Sequence, residues 1–412
     1  MLDSKLKSLD NKIVFVNLSE QIAPNFKINK SKEYVLWGDD NLWPLYLQQL
    51  LSKSAIHNSI FRRKVKMTYG NGLFIANEND LTSQQVNKIN KFFSEINPTL
   101  TKNEIIQRSS YDLQLYGGFA WQIIYSKDKS RIVNINPIDM ADIRVGKLDN
   151  GQIKEFYYSA DWADLKNNPY EIYPAFDMSN PGGTQILYVR NYDSGSPYYP
   201  IENYRGGLNY INVDYYISNY HVNNLRNGLT PTIIISIPGA EPTQEEIDSI
   251  YKRIKKLYSS TDNAGKFILM FPDDIKNKID VQPINLTDAD KQFMMLNELT
   301  TQGIIMAHNV TSPMLFGVKT EGQLGGRNEI ITQSELFYND VISHDQQLIE
   351  SALEKILIYN SLEFANVQIK RSTSVKFMFG ETELAKITTV NERRRMIDLP
   401  DVENGNNPPT GI

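Results

Sequence analysis

Apolar residues recur at steps of three and four between residues 328 and 359: Ile330, Phe337, Val341, Leu348, Leu353, Ile356 and Leu357. That spacing predicts one long helix with a single buried face. Asn328 suits its N-cap and Glu329 its first turn. A second helix is predicted over residues 288–307. Between them, residues 308–327 read HNVTSPMLFGVKTEGQLGGR, rich in glycine and holding the cations Lys319 and Arg327. An insertion of this length between two helices reads as a loop presented to something, since such links usually run to ~2–8 residues.

The N-terminal half changes period several times. Residues 12–16 read as a strand, and Pro44 suits the first turn of a helix through Leu51. A helix over residues 54–68 is stopped by Gly70-Asn71-Gly72. Its cations Arg62, Arg63, Lys64 and Lys66 read as a solvated face, with an anionic contact as the sharper alternative. Residues 80–96 form a short amphipathic helix. Thr101 with Glu104 makes a capping box that opens another helix, which ends at Gly117-Gly118. From Phe119 the period becomes two. Strands are predicted at 120–125, 131–135, 143–147, 153–158 and 186–192, giving an α+β section with an antiparallel sheet. A helix over 210–225 carries Tyr210, Val213, Tyr216, Ile217 and Tyr220 at helical spacing, read as a packing stripe.

Residues 228–286 form a small β-α-β-β insert. Strands are predicted at 231–237, 266–271 and 278–284, with a helix over 243–258 opened by a second capping box, Thr243 to Glu246. Glu245 lies early in that helix and Lys252, Lys255 and Lys256 late, which suits the helix dipole. A unit of roughly 60 residues rarely stands alone, so it is expected to pack on copies of itself or a partner. Strands at 367–371 and 375–379, a short basic helix over 391–397 and a mobile tail complete the chain.

Composition narrows the function classes. The 412 residues carry a net charge of -5, which excludes bulk electrostatic coating of nucleic acid. There is no cysteine, and with it go disulfides, zinc ribbons and thiol catalysis. No window approaches the ~18 consecutive apolar residues of a membrane span, and the first residues lack a signal-peptide core, so a soluble protein made inside the cell is expected. The four histidines, His57, His221, His308 and His344, lack metal-ligand spacing and read as isolated structural or surface residues. No phosphate loop or nucleophile elbow is present. The acidic pairs Asp39-Asp40 and Asp273-Asp274, and the Asp288-Ala-Asp290 helix start, read as turn and cap residues; divalent-ion binding is the alternative. Neither cofactor nor metal is expected, and an enzyme is not favoured.

Four stretches, taken in order, resemble the portal proteins of tailed bacteriophages. They are Tyr34-Val-Leu-Trp-Gly-Asp-Asp-Asn-Leu-Trp-Pro44 with the His57-Asn58 helix and Tyr69-Gly-Asn-Gly72; Leu115-Tyr-Gly-Gly-Phe-Ala-Trp121 with Ile135-Asn-Pro-Ile138; Leu225-Arg-Asn-Gly-Leu-Thr-Pro231; and Ile305-Met-Ala-His-Asn-Val-Thr-Ser-Pro-Met-Leu-Phe-Gly317 with Asn391-Glu-Arg-Arg-Arg395. The likeness covers most of the chain, and its departure is a short C-terminal region that leaves little for a large crown. The resemblance implies an elongated portal-type subunit: a wing over 1–209, stem helices at 210–227 and 287–307, a clip over 228–286, a tunnel loop over 308–327, a long wing or crown helix over 328–360, and C-terminal strands and tail over 361–412. It implies a homo-oligomeric ring, usually dodecameric, at one capsid vertex. Double-stranded DNA would pass through it, with terminase, the head–tail adaptor and the major capsid protein as partners. Lys319, Glu321, Gln323 and Arg327 would then face DNA, and Glu245, Lys252, Lys255 and Lys256 would form the clip's docking surface. A non-portal capsid ring or adaptor, or a metal-dependent phosphoryl-transfer enzyme, are the alternatives.

Overall fold

The computed structural model describes residues 26–226, 289–316, 327–372, 388–396 and 400–407, with the strands at 233–236, 267–270 and 280–283 and the single positions 245 and 249. The expected strand at 12–16, the helix over 243–258 apart from those two positions, and the strand at 375–379 lie outside the described residues.

The chain opens with a two-stranded ribbon, β1 (Phe26–Lys27) against β2 (Leu36–Trp37). The turn that follows needs left-handed backbone at Gly38 (φ 81°) and Asn41 (φ 68°), and Asn41 Oδ1 accepts from the Trp37 amide at 3.1 Å. Helix α1 (Trp43–Lys53) starts on Pro44, and α2 (Ala55–Tyr69) on Ser54, whose hydroxyl accepts from the His57 amide. Gly70 ends α2 at φ 59°, where an added Cβ would lie 2.2 Å from the Lys370 carbonyl oxygen. Strand β3 (Leu73–Ile75) follows. Helices α3 (Ser83–Glu95) and α4 (Lys102–Tyr116) both begin on full capping boxes, Thr82 with Gln85 and Thr101 with Glu104.

Strand β4 (Gly118–Tyr125) is the centre of an antiparallel sheet, flanked by β5 (Ile132–Ile138) and β9 (Thr184–Arg190). Its two faces serve two cores. Phe119, Trp121, Ile123 and Tyr125 face a core shared with α3 and α4, while Ala120 joins the core built on α1 and α2. That double burial is why β4 reads as a run of apolar residues. Strands β6 (Ile143–Val145), β7 (Glu155–Tyr158) and β8 (Glu171–Pro174) make a second antiparallel sheet.

Helix α5 (Leu208–Arg226) packs on α6 (Ala289–Ala307). Close approach is permitted by small residues: an added Cβ at Gly303 would lie 2.6 Å from the Tyr210 ring, and one at Gly207 would lie 2.4 Å from Ala307. The buried stripe of α5 is Leu208, Ile211, Asp214 and Ile217. Ile217 is buried as expected; Tyr210 and Tyr216 are partly exposed, the Tyr210 ring lying against Gly303 of α6. The insert's strands β10 (Ile233–Ser236), β11 (Phe267–Met270) and β12 (Asp280–Pro283) form one sheet. β10 runs parallel to β11 and antiparallel to β12. A parallel pair requires a crossover, as the predicted β-α-β order supplies.

The long helix is three pieces in line: α7 (Arg327–Phe337), a π-turn (Tyr338–Ile342) and α8 (Ser343–Tyr359). The wider turn shifts the buried face by one residue, so Ile342 and Ile349 are buried where a uniform helix predicts Val341 and Leu348. Strand β13 (Val367–Ile369) then returns to pair antiparallel with β3, and α9 (Val390–Met396) closes the described chain.

Candidate functional site

Two features distinguish α6. One face carries an apolar stripe from its middle to its C-terminal end, Met295 (65% exposed), Leu299 (57%) and Met306 (76%), with Met294 and Leu296 beside it. Steps of four and seven put these side chains on one helix face. Exposed apolar residues packed this densely mark a surface that something covers. Tyr216 and Val222 on α5 add to the exposed apolar surface of the helix pair.

The second feature is the end of α6. Residues 308–316, expected to open the loop, belong to the body of the protein. Asn309 turns the chain at φ 55°, and a short turn (Pro313–Phe316) buries Leu315 and Phe316, the latter edge-on to Phe337 at 5.5 Å. Thr311 Oγ1 donates to the Gln333 carbonyl at 2.9 Å. Both flanks of the remaining segment are therefore fixed. Lys319, Glu321 and Gln323 lie outside the described residues; Arg327 is the first residue of α7. Glu245 is exposed, and Lys252, Lys255 and Lys256 lie outside the described residues.

A buried polar network lies beneath. Arg62, Arg63 and Lys66 of α2 are solvated as expected, but Lys64 is 1% exposed. It falls on the helix's apolar stripe with His57, Ile60, Phe61 and Thr68. Burial pushes the Lys64 ammonium down, and the Asp345 carboxylate on α8 pulls it back up. Burial pushes Asp345 up, opposed by Lys64 and by Gln114, whose Nε2 donates to Asp345 at 2.6 Å and to Thr68 Oγ1 at 3.0 Å. Gln346 Nε2 donates to the Thr68 carbonyl at 2.9 Å, so α2, α4 and α8 are joined through polar atoms.

Nor are the histidines isolated. His57 Nδ1 and His308 Nε2 meet at 2.8 Å, with both rings buried. The pair is 251 positions apart in sequence, so no spacing rule finds it. The legible signal was a His and a Lys on the apolar face of one helix.

Of the acidic pairs, only Asp39-Asp40 lies among the described residues, and both of its side chains have partners. Asp39 is salt-bridged to Lys27 at 3.4 Å, and Asp40 Oδ1 accepts from the Leu42 amide at 2.9 Å. Asp273, Asp274 and Asp288 lie outside the described residues. Among the described residues no group of three His, Cys, Asp or Glu side chains is arranged to hold a metal ion, and no helix is long and apolar enough to cross a membrane.

The chain is α+β, with a central three-stranded sheet, a packed helix pair and a small sheet whose strands fall between those helices in sequence. The family model for phage portal proteins matches residues 73–398, and the chain belongs to that family. No curated protein matches it in sequence. Among solved structures it is similar to a chain in the neck of an empty gene transfer agent particle computed with C6 symmetry. There the TM-score is 0.56 at 13% identity, covering 87% of this chain and 94% of that one. A chain in the neck of the native particle, computed with C12 symmetry, gives 0.53 at 15% identity over 86% and 94%. One in the native virion gives 0.51 at 14% identity over the same shares.

Proposed function

We propose that this chain is the subunit of a closed ring at one vertex of a tailed-phage capsid, the channel through which double-stranded DNA is packaged and ejected. In this reading residues 1–209 and the strands after α8 form the wing, and α5 and α6 are the stem. Residues 228–286 form the clip, where terminase and later the head–tail adaptor dock. The loop after Phe316 faces DNA, and the major capsid protein surrounds the wing. The protein would reside in the virion, and in the host cytoplasm during assembly.

The observation that carries the ring is the apolar stripe of α6. On a lone chain Met295, Leu299 and Met306 face water. A neighbouring copy, related by rotation, would cover them through a head-to-tail contact that closes on itself. The C12 and C6 symmetries used for the similar necks support a cyclic assembly, with twelve subunits the expected number. The net charge of -5 suits a conduit, since dense cations would hold DNA instead of passing it.

Electron microscopy of the purified protein tests this. Rings with a through-channel are expected, and the same rings at a single vertex of capsids. A stable monomer at micromolar concentration, with no ring in any capsid, would remove the proposal.

A further inference from the structure

Helix α6 is fastened to the body by its C-terminal third. Side chains from Met294 to Leu299 are exposed, and burial begins at Thr300 and continues through Ile304, Ile305 and His308. His308 lies just past the helix end, its amide donating to the Ile304 carbonyl at 3.1 Å. Its ring stacks on His57 of α2 (centroids 5.0 Å apart) and on Tyr204 (5.2 Å).

A neutral imidazole has one N–H and one lone pair. At 2.8 Å, His57 Nδ1 and His308 Nε2 meet as donor to acceptor. The outward nitrogens, His57 Nε2 and His308 Nδ1, are buried without a hydrogen-bond partner among the described residues. In either tautomer one of these is a donor and the other an acceptor, so the neutral pair makes its one mutual hydrogen bond and leaves one buried donor and one buried acceptor unpaired.

The titratable surroundings decide what a proton does here. On α2 itself the nearest charge is the buried Lys64 ammonium, faced by Asp345 from α8. Before α5 stand Tyr204, packed on both rings, and Glu202, which is salt-bridged to Arg205 at 3.2 Å. From α4, Tyr111 reaches Tyr204 electrostatically. From α5, Asp214 accepts the Ser54 hydroxyl at 2.6 Å beside the start of α2. No carboxylate among these partners accepts a hydrogen bond from either imidazole.

We propose that the His57–His308 contact is a proton-sensitive latch that fastens the end of α6, and with it the α5–α6 pair, to α2: closed while both rings are neutral, released when they are protonated. One proton buries a cation on the same helix face as Lys64. Two set N–H against N–H at the contact and break it. In keeping with this, burial first and Lys64 second hold His57 down to about 4, and burial, Lys64 and His57 hold His308 well below its ordinary value. The released state, with rings in water, takes up protons near the ordinary ~6.5. Below that pH the opening equilibrium grows by up to about tenfold per pH unit for each imidazole protonated.

Hydrogen exchange of the full-length assembled protein, followed by mass spectrometry from pH 7.5 to 5 and corrected for intrinsic rates, tests the latch. Peptides spanning 300–310 and 55–65 are expected to be flat above about pH 6.5 and to accelerate below it by about tenfold per unit for each imidazole protonated, up to about a hundredfold for both, while peptides of β4 do not. In the double variant H57N and H308Q, the amide groups stand where Nδ1 and Nε2 stood. They keep a hydrogen bond and do not titrate, so the acceleration is expected to vanish. The single variant H308Q, which disturbs packing least, is expected to weaken it. Wild-type exchange that is flat across this range overturns the proposal. Acid dependence that persists unchanged in either variant also overturns it, by placing the titrating group elsewhere.

Discussion

Arg144 reaches across 103 positions to Asn41, donating from Nε to Oδ1 and from Nη2 to the backbone oxygen, both at 2.6 Å. Its Nη1 donates to the carbonyls of Ala141 (2.8 Å) and Ile143 (2.7 Å), and Trp37 and Trp162 lie against the guanidinium. One buried cation thus ties the turn after β2 to strand β6. Tyr199 closes the site, its hydroxyl donating to the Val35 carbonyl and its ring stacked on Trp37 at 4.4 Å.

Replacing Arg144 by Met is expected to leave several buried oxygens without donors, at ~1–3 kcal/mol per group. Asn41 Oδ1 keeps the Trp37 amide, so the loss falls on the backbone carbonyls of Asn41, Ala141 and Ile143 and is expected to total at least about 3 kcal/mol. Lys keeps the charge but not the planar fork and is expected to cost about 2 kcal/mol. Denaturant unfolding of the two variants measures both; equal stability of Arg144→Met and wild type would refute the anchor.

Legibility in the sequence followed the range of the interactions. The capping box of Thr101 and Glu104 was readable because both partners lie within one turn, and so was the stop at Gly70. The turn at residues 38–41 was readable as a turn. Its anchor was not, since Arg144 looks like an ordinary strand residue until the sheet brings it to Asn41. Lys64 was masked by the three solvated cations around it, and the His57–His308 contact by its separation. The π-turn at Tyr338–Ile342 left no local mark, yet Ile342 and Ile349 are buried in place of Val341 and Leu348, while Phe337, Leu353, Ile356 and Leu357 are buried as the spacing predicts.

Asp142 sets a pH dependence of its own. Burial, then Asp139, push its carboxyl up from 3.8 to about 7, against the pull of Arg144. Between those values the native state keeps a proton that the unfolded chain has released. Asp142 therefore contributes stability that is present below about pH 4 and lost as pH rises through about 7. Asp142→Asn is expected to raise the denaturation midpoint at pH 8 relative to wild type and to leave it little changed at pH 4. The opposite ranking at pH 8 would show that the ionised form is the one the fold prefers.

The ring reading makes a demand on α6. Met295 and Leu299 are exposed in the single chain, so Asp at both positions is expected to leave the fold intact. At an interface, each buried side chain of this size contributes ~1.5–3 kcal/mol. Losing two weakens each contact by about 3–6 kcal/mol, or two to four orders of magnitude in affinity. Light scattering after size exclusion is expected to show monomers where wild type shows rings. Intact rings in the double variant would move the subunit interface elsewhere.

The last prediction concerns the segment after Phe316. With residues 308–316 packed into the body and α7 starting at Arg327, ten residues, 317–326, remain between two fixed ends. That still exceeds the ~2–8 residues usual between helices. Gly317, Gly322, Gly325 and Gly326 permit backbone turns that other residues resist. Lys319 and Arg327 supply positive charge, Glu321 offsets one of them, and Gln323 adds a neutral polar group. In a ring, each cation repeats once per subunit around DNA that carries one phosphate charge per ~1.7 Å of axis. Single contacts of this kind are weak and screened, but a collar of them would slow sliding without fixing a register. Lys319→Ala with Arg327→Ala is expected to leave ring assembly unchanged, to reduce DNA retention severalfold, and to flatten its dependence on salt. The length of DNA in purified capsids, and its loss as salt is raised, read both effects. Normal length with the wild-type salt dependence would show that these cations do not touch the DNA.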